Sequence, residues 1–187
     1  MKLFSVAALA VLAFVAQAAA QNANVGPGSV KVGKVSPSVV KTPEFQVVGG
    51  VNKRSKNQSW LEMEVEYGTN LEEIDELTFK FTAQVEGKLL DGEATYVNIP
   101  KDREHYAVMY IAPRTLEKLT GGKPLTGASI QNVWVQVLHS GQVLGENSFK
   151  PEKQPNLQHL SGVVLNKDQT PFAPLYYDRY EALKSKQ

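Results

Sequence analysis

Two stretches decide the fold class: Leu61-Glu62-Met63-Glu64-Val65-Glu66-Tyr67 and Leu77-Thr78-Phe79-Lys80-Phe81-Thr82-Ala83-Gln84-Val85. In both, an apolar side chain alternates with a polar one. Successive side chains of a strand point to opposite faces, so a period of two reads as a half-buried strand with one wet face. Working outward, Tyr106, Val108 and Tyr110 alternate with Ala107, Met109 and Ile111 before Pro113. Both sets are apolar, as expected of a strand central to a packed sheet. Glu93 to Ile99 supplies another strand, ended by Pro100. Ile130 to Leu138 is a further one, built around Val133, Trp134, Val135 and Val137. Ser140-Gly141 then reads as a tight hairpin turn into Val143, Leu144 and Phe149. Upstream, Val30, Val32 and Val35 alternate, and Pro37 and Pro43 make that stretch an edge strand or extended ribbon. Glu44 to Val48 reads as a short strand closed by Gly49-Gly50, and Leu160 to Leu165 as a last short apolar piece. Pro113 to Leu119 is the one internal helix, stopped by Gly121-Gly122.

About seven to nine strands separated by Gly, Pro and Asn turns predict an all-β protein. The architecture expected is an antiparallel immunoglobulin-like β-sandwich with a short internal helix and an extended aromatic C-terminal tail. The Cys…Trp…Cys hallmark of antibody domains is absent, so the fold is immunoglobulin-like only; a small β-barrel is the alternative. The 187 residues suit one domain. Twenty Lys and Arg against 19 Asp and Glu give no general attraction to nucleic acid or to an anionic membrane surface. The absence of Cys excludes disulfides, thiolate zinc sites, iron–sulfur clusters and a cysteine nucleophile.

The chain opens with Met1-Lys2, an apolar run from Leu3 to Ala16, and Ala18 and Ala20 in an A-x-A arrangement. This is the layout of a secretory signal peptide, and its run is short of the roughly 20 residues that span a bilayer. Residues 1–20 are therefore assigned to a signal peptide, 21–29 to a flexible lead, 30–165 to the sandwich and 166–187 to the tail. The expected location is the periplasm or cell surface, with no membrane insertion after cleavage. An uncleaved pilin-type spine would carry an acidic residue early in its apolar helix, and nothing acidic precedes Glu44.

Chemistry-bearing patterns are sparse. Glu62, Glu64 and Glu66 share a strand face, spaced roughly 7 Å apart, too far for one cation to draw on all three without loop ligands. The simpler reading is a solvated face, paired across the ladder with Lys80 and its neighbours. His105, His139 and His159 stand in no metal-ligand spacing and read as surface or turn histidines. The sequence has no G-x-S-x-G elbow, S-x-x-K, H-E-x-x-H or P-loop. No catalytic, cofactor or metal site is predicted, and the chain is read as a non-enzyme. Lys53, Arg54 and Lys56 form a small basic loop.

The tail is the unusual segment. Thr170-Pro171-Phe172-Ala173-Pro174-Leu175-Tyr176-Tyr177-Asp178-Arg179-Tyr180 concentrates four aromatics and two prolines. Phe172, Leu175, Tyr176 and Tyr180 must bury somewhere, either back on their own sandwich or on another subunit. Phe172, Leu175, Tyr176, Tyr177, Arg179 and Tyr180 are the candidate partner-binding residues, Arg179 anchoring the run by a salt bridge or cation–π contact. The partner, a protein at the cell envelope or a second copy of the chain, would be met by exposed sheet edges and by the aromatic tail. A glycan-binding or small-ligand-binding sandwich, stacking its ligand on Trp60, Trp134 or Tyr177, is the alternative.

The ending from Leu165 to Tyr180, with the signal peptide and the cysteine-free β domain before it, resembles small secreted proteins of Verrucomicrobia. It is similar to the immunoglobulin-like, pilus-associated proteins of Akkermansia, whose fold resembles archaeal type IV pilins. The resemblance implies an exported, non-enzymatic protein of a pilus-like surface assembly, with no catalytic or cofactor residues. Lacking a pilin-type leader, the chain would hold an accessory place rather than that of the major filament subunit.

Overall fold

The computed structural model describes residues 25–46, 48–50 and 56–185. The predicted signal peptide lies outside them. Among the described residues ten strands and one α-helix follow one another: β1 (Val30–Lys41), β2 (Ser59–Thr69), β3 (Glu73–Val85), β4 (Lys88–Pro100), β5 (His105–Ile111), α1 (Pro113–Thr120), β6 (Ile130–His139), β7 (Gln142–Ser148), β8 (His159–Ser161), β9 (Val164–Asn166) and β10 (Ala182–Leu183). They form a sandwich of two sheets. The first has the order β1-β2-β5-β9, and the second β10-β4-β3-β6-β7, with β8 pairing β4 as well. The sheets do not close into a barrel.

The alternating stretches carry the core. Leu61, Met63, Val65 and Tyr67 of β2 face Leu77, Phe79, Phe81, Ala83 and Val85 of β3 across a dry interior, all essentially inaccessible to water. Burying such side chains is the main favourable term in folding. Tyr96 of β4 ties the two sheets by a polar contact. Its hydroxyl accepts from Val108 N at 2.9 Å and donates to Val108 O at 3.2 Å. Two backbone groups on β5, beyond the reach of β9, are thereby satisfied.

Several turns follow local rules. Ser140 and Gly141 both have positive φ, as a two-residue type I′ hairpin requires. Glu86-Gly87 makes the equivalent turn between β3 and β4. β4 therefore begins at Lys88, earlier than its alternation from Glu93 suggests. Pro113 opens α1, and Gly121, left-handed at φ 62°, closes it. Pro37 sits within β1, which is an edge strand and so tolerates a missing donor.

Several expectations need correction. Glu44 to Gln46 form no strand and Val48 lies in an exposed turn, because among the described residues nothing covers Phe45 or Val48. Leu160 to Leu165 is not one piece. It splits at Gly162, φ 75°, into β8 on the second sheet and β9 on the first. Lys80 does not pair with the Glu62–Glu66 face, because β3 belongs to the opposite sheet. Its own cross-strand neighbours are Glu93 and Gln136. His105 is buried rather than a surface histidine. It stacks on Tyr67 with ring centroids 5.1 Å apart, its Nε2 lying 2.9 Å from Pro100 O and its Nδ1 3.1 Å from Glu181 Oε1. Val25, in the predicted lead, packs against the core, and Gly26 to Ser29 close a hydrogen-bonded turn.

Candidate functional site

The outer face of the first sheet carries Glu62, Glu64 and Glu66 from β2, and Tyr106, Val108 and Tyr110 directly opposite on β5. Half of this face is apolar and needs a cover, which the tail supplies. The tail starts with a 3-10 turn, Lys167–Gln169, boxed by Asn166: Gln169 N donates to Asn166 Oδ1 at 3.2 Å, and Gln169 Oε1 accepts from Asn166 N at 3.1 Å. Further hydrogen-bonded turns follow, from Ala173 N to Thr170 O, Leu175 N to Phe172 O and Arg179 N to Tyr176 O. The prolines at 171 and 174 thus sit in a string of turns that lies flat on the sheet.

Phe172 is the anchor. It is 4% exposed and stacks on Tyr110, with centroids 4.6 Å apart and planes 4° apart. Trp60 meets it edge-on at 5.6 Å. With Val108, and with Val40, Leu175 and Tyr180 around the rim, these residues make a second, smaller hydrophobic cluster outside the main core. Trp60 is committed to it, and its Nε1 donates to Thr42 Oγ1 at 3.1 Å.

Arg179 and Tyr180 fix the far end. Arg179 forks onto Glu64, Nε to Oε2 at 3.0 Å and Nη2 to Oε1 at 2.9 Å. Its guanidinium also lies 3.5 Å from the Tyr106 ring centroid, so the expected ion pair and cation–π contact are both made, with Glu64 rather than the adjacent Asp178. Tyr180 donates to Glu64 Oε2 at 2.7 Å. Burial alone would raise the Glu64 carboxyl. The hydrogen bonds from Arg179 and Tyr180 and the Arg179 charge outweigh it and hold Glu64 below the ordinary carboxylate range. Burial and then the Glu64 carboxylate push the Tyr180 phenol up. Glu62 is also occupied, accepting from Tyr110 at 3.0 Å and Ser38 at 3.2 Å. Beneath the tail, Lys167 is buried. Its Nζ donates to Ala173 O at 2.9 Å and stands 5.4 Å from the Tyr180 ring, and burial lowers its pKa. The chain then crosses to the second sheet, where β10 pairs with β4 and Lys184 reaches Glu76.

Of the six residues predicted to bind a partner, Phe172, Leu175, Arg179 and Tyr180 are committed to the protein's own sheet. Tyr176 and Tyr177 are not: they are 59% and 83% exposed. Tyr176 also holds φ 54°, a left-handed backbone rare for an aromatic residue. A depression of about 520 Å³ lies beside them, with Lys41, Glu62, Arg179 and Tyr180 in its lining.

A second concavity, of about 1030 Å³, lies on the outer face of the second sheet. Its floor is two cross-strand rows: Asp91, Thr82, Trp134 and Ser148 in one, Glu93, Lys80, Gln136 and Glu146 in the other. One wall is the segment after β7. Asn132, fully buried, clamps it by accepting from Lys150 N at 2.8 Å and donating to Lys150 O at 3.0 Å. Trp134 Nε1 holds Glu152 O at 2.7 Å. The chain from Ser161 to Asn166 lines the other side. Nothing in the alternation around Val133 marks Asn132 as a clamp, because its partner is a loop backbone. Asp91 is fixed by Thr82 Oγ1 at 2.8 Å and His159 Nδ1 at 2.6 Å. Among the described residues no group of three or more His, Asp or Glu is placed to hold a metal ion.

A family model matches residues 21–187. The chain belongs to that family, the immunoglobulin-like, pilus-associated proteins. A solved crystal structure from Akkermansia muciniphila is similar to it at 25% identity, with a TM-score of 0.72, covering 84% of this chain and 94% of that one. The curated proteins contain no match. The family match takes in the tail as well as the sandwich.

Proposed function

We propose that the protein is an exported, non-enzymatic accessory of a type IV pilus-like surface assembly, and that its contact with a protein partner or a second copy is made by the tail. The exposed Tyr176–Tyr177 pair carries this reading. Two adjacent aromatic rings stand out from a tail whose flanking residues are pinned by stacking and by a forked ion pair. Rigid aromatic anchors on a fixed backbone lose little entropy on binding, and Tyr is enriched where interfaces concentrate their energy. The left-handed Tyr176 supports the same reading, because strained backbone persists where surroundings over-determine it, often at binding sites. Membership of a pilus-associated family supports the assembly role, and a match that begins at Gln21, just after Ala18-x-Ala20, supports export with a signal peptide over residues 1–20.

Sheet edges are the weaker place for such a contact. β8 and β10 occupy parts of the outer edge of β4, β9 and the Tyr96 hydroxyl occupy that of β5, and Pro37 blunts β1.

Deleting the whole tail would mix binding with stability, since Phe172 and Tyr180 are structural. The test is the double substitution Tyr176→Ala, Tyr177→Ala in the mature chain. Self-association by sedimentation, or recovery of an envelope partner by pull-down, should fall at least tenfold with the urea midpoint unchanged. Undiminished association in that variant refutes the reading.

A further inference from the structure

We infer that the groove on the outer face of the second sheet is a binding site for a neutral oligosaccharide, with Trp134 as its stacking platform. The site does not involve Tyr176 or Tyr177 and is independent of any role in assembly.

The floor sets the chemistry that a ligand would meet. Trp134 sits mid-groove, and its one polar atom is spent on Glu152 O. What remains for a ligand is indole ring, the surface against which the C–H face of a pyranose packs. Beside it, two residues along β3 and β4 from the Thr82–Asp91 pair, Lys80 and Glu93 are direct cross-strand partners. Opposite charges in that position ordinarily bridge. Among the described residues the side chains of these two make no ion pair or hydrogen bond, although Asp91, Gln136 and Glu146 around them are all engaged. An ammonium donor and a carboxylate acceptor are thereby left free: Lys80 is the diagonal cross-strand neighbour of Trp134, roughly 7–8 Å away, and Glu93 lies one strand further out, so the two reach hydroxyls on more than one sugar ring.

Charge and shape narrow the ligand class. The lining holds two cations, Lys80 and Lys153, against four anions, Asp91, Glu93, Glu146 and Glu152. That balance repels sulfated or sialylated chains and suits a neutral one. The volume stands at the top of the roughly 300–1,000 Å³ range of ligand sites, which favours an oligosaccharide over a single ring. A peptide is disfavoured. A ligand in the groove meets the side-chain face of a paired sheet rather than a strand edge, and its two rows offer hydroxyls, amides and charges rather than apolar pockets. The Asn132 clamp on Lys150 holds the wall in place before anything binds.

The test uses the mature chain and a panel of neutral tetrasaccharides (chitotetraose, cellotetraose, maltotetraose and a galactotetraose), with sialylated and sulfated oligosaccharides as charged controls. Binding is read by tryptophan fluorescence and by NMR shifts of the indole N–H signals. At least one neutral probe should saturate and move the Trp134 signal but not that of Trp60. Trp134→Ala should weaken it by about tenfold, the loss of one well-packed aromatic contact. Glu93→Gln and Lys80→Ala, which touch no packed core, should each weaken it with an unchanged urea midpoint. Tyr177→Ala should bind the sugar normally, so failure of the assembly reading and of this one are distinguishable. No saturable change with any neutral probe at millimolar concentration overturns the inference. So does tighter binding of the charged controls, binding that ignores Trp134 and Glu93, or capture of a peptide rather than a sugar by this face.

Discussion

The two outer faces of the sandwich start from the same pattern and end in different states. Each presents alternating polar side chains from strands whose other face is core. On the first sheet, Glu62 and Glu64 are consumed by partners, and a second hydrophobic cluster is built over Val108 and Tyr110. On the second sheet, Lys80 and Glu93 lie opposite one another unbridged at the bottom of an open groove. The difference comes from one cross-strand neighbour. β5 contributes apolar side chains to both of its faces, so its outer face must be covered. β3 and β4 contribute polar ones, so theirs can stay wet.

The comparison can be broken first at Phe172. Phe172→Ala should cost about 3 kcal/mol, near the low end for a buried Phe because the tail can partly collapse into the space, measured by urea unfolding. Thr82→Ala, on the floor of the open face, should cost about 1 kcal/mol or less. Equal costs would mean that the tail is not a structural cover.

Gly92 tests the seam where the two sheets meet. A Cβ there would lie 2.5 Å from Val164 Cβ, so Gly92→Ala should lose about 2 kcal/mol by overpacking β9 against β4. Lengthening of the β8–β9 crossover would appear as faster amide exchange from Ser161 to Asn166.

Glu64→Gln should cost about 1 kcal/mol, since Arg179 is well exposed and solvent screens the pair. Its pH signature is more telling. A carboxyl depressed in the folded state stabilises fully above its unfolded pKa and loses that contribution as pH falls through the folded value. The wild-type urea midpoint should therefore drop below the ordinary carboxylate range more steeply than that of Glu64→Gln, with no difference in slope near neutral pH.

The smallest effect belongs to the open face. Lys80→Ala and Glu93→Gln should each change stability by less than about 0.5 kcal/mol, because among the described residues neither side chain has a partner to lose. A larger loss would show that the groove floor is structural.

The chain's local pattern settles the strands whose two faces differ, from Leu61 to Tyr67 and Leu77 to Val85. It also determined the doubly apolar β5, the Pro-to-Gly limits of α1 and the Ser140-Gly141 hairpin. Each of these rests on a local rule: side-chain alternation, a missing amide donor, or a left-handed turn. It picked out the tail by composition and named Phe172, Leu175 and Tyr180 as residues that need cover; Tyr176, expected to bury with them, stands exposed because the left-handed turn at that residue carries its ring off the sheet face. Only the tertiary structure decided which sheet each strand joined, and so that Glu64 meets Arg179 rather than Lys80. It also decided that Phe172 is buried while Tyr176 and Tyr177 stay in solvent, that His105 is interior, and that Asn132 clamps a loop 18 residues away. These are contacts between distant parts of the chain, fixed by the way two sheets and a returning tail fill space, and no short window of sequence contains both partners.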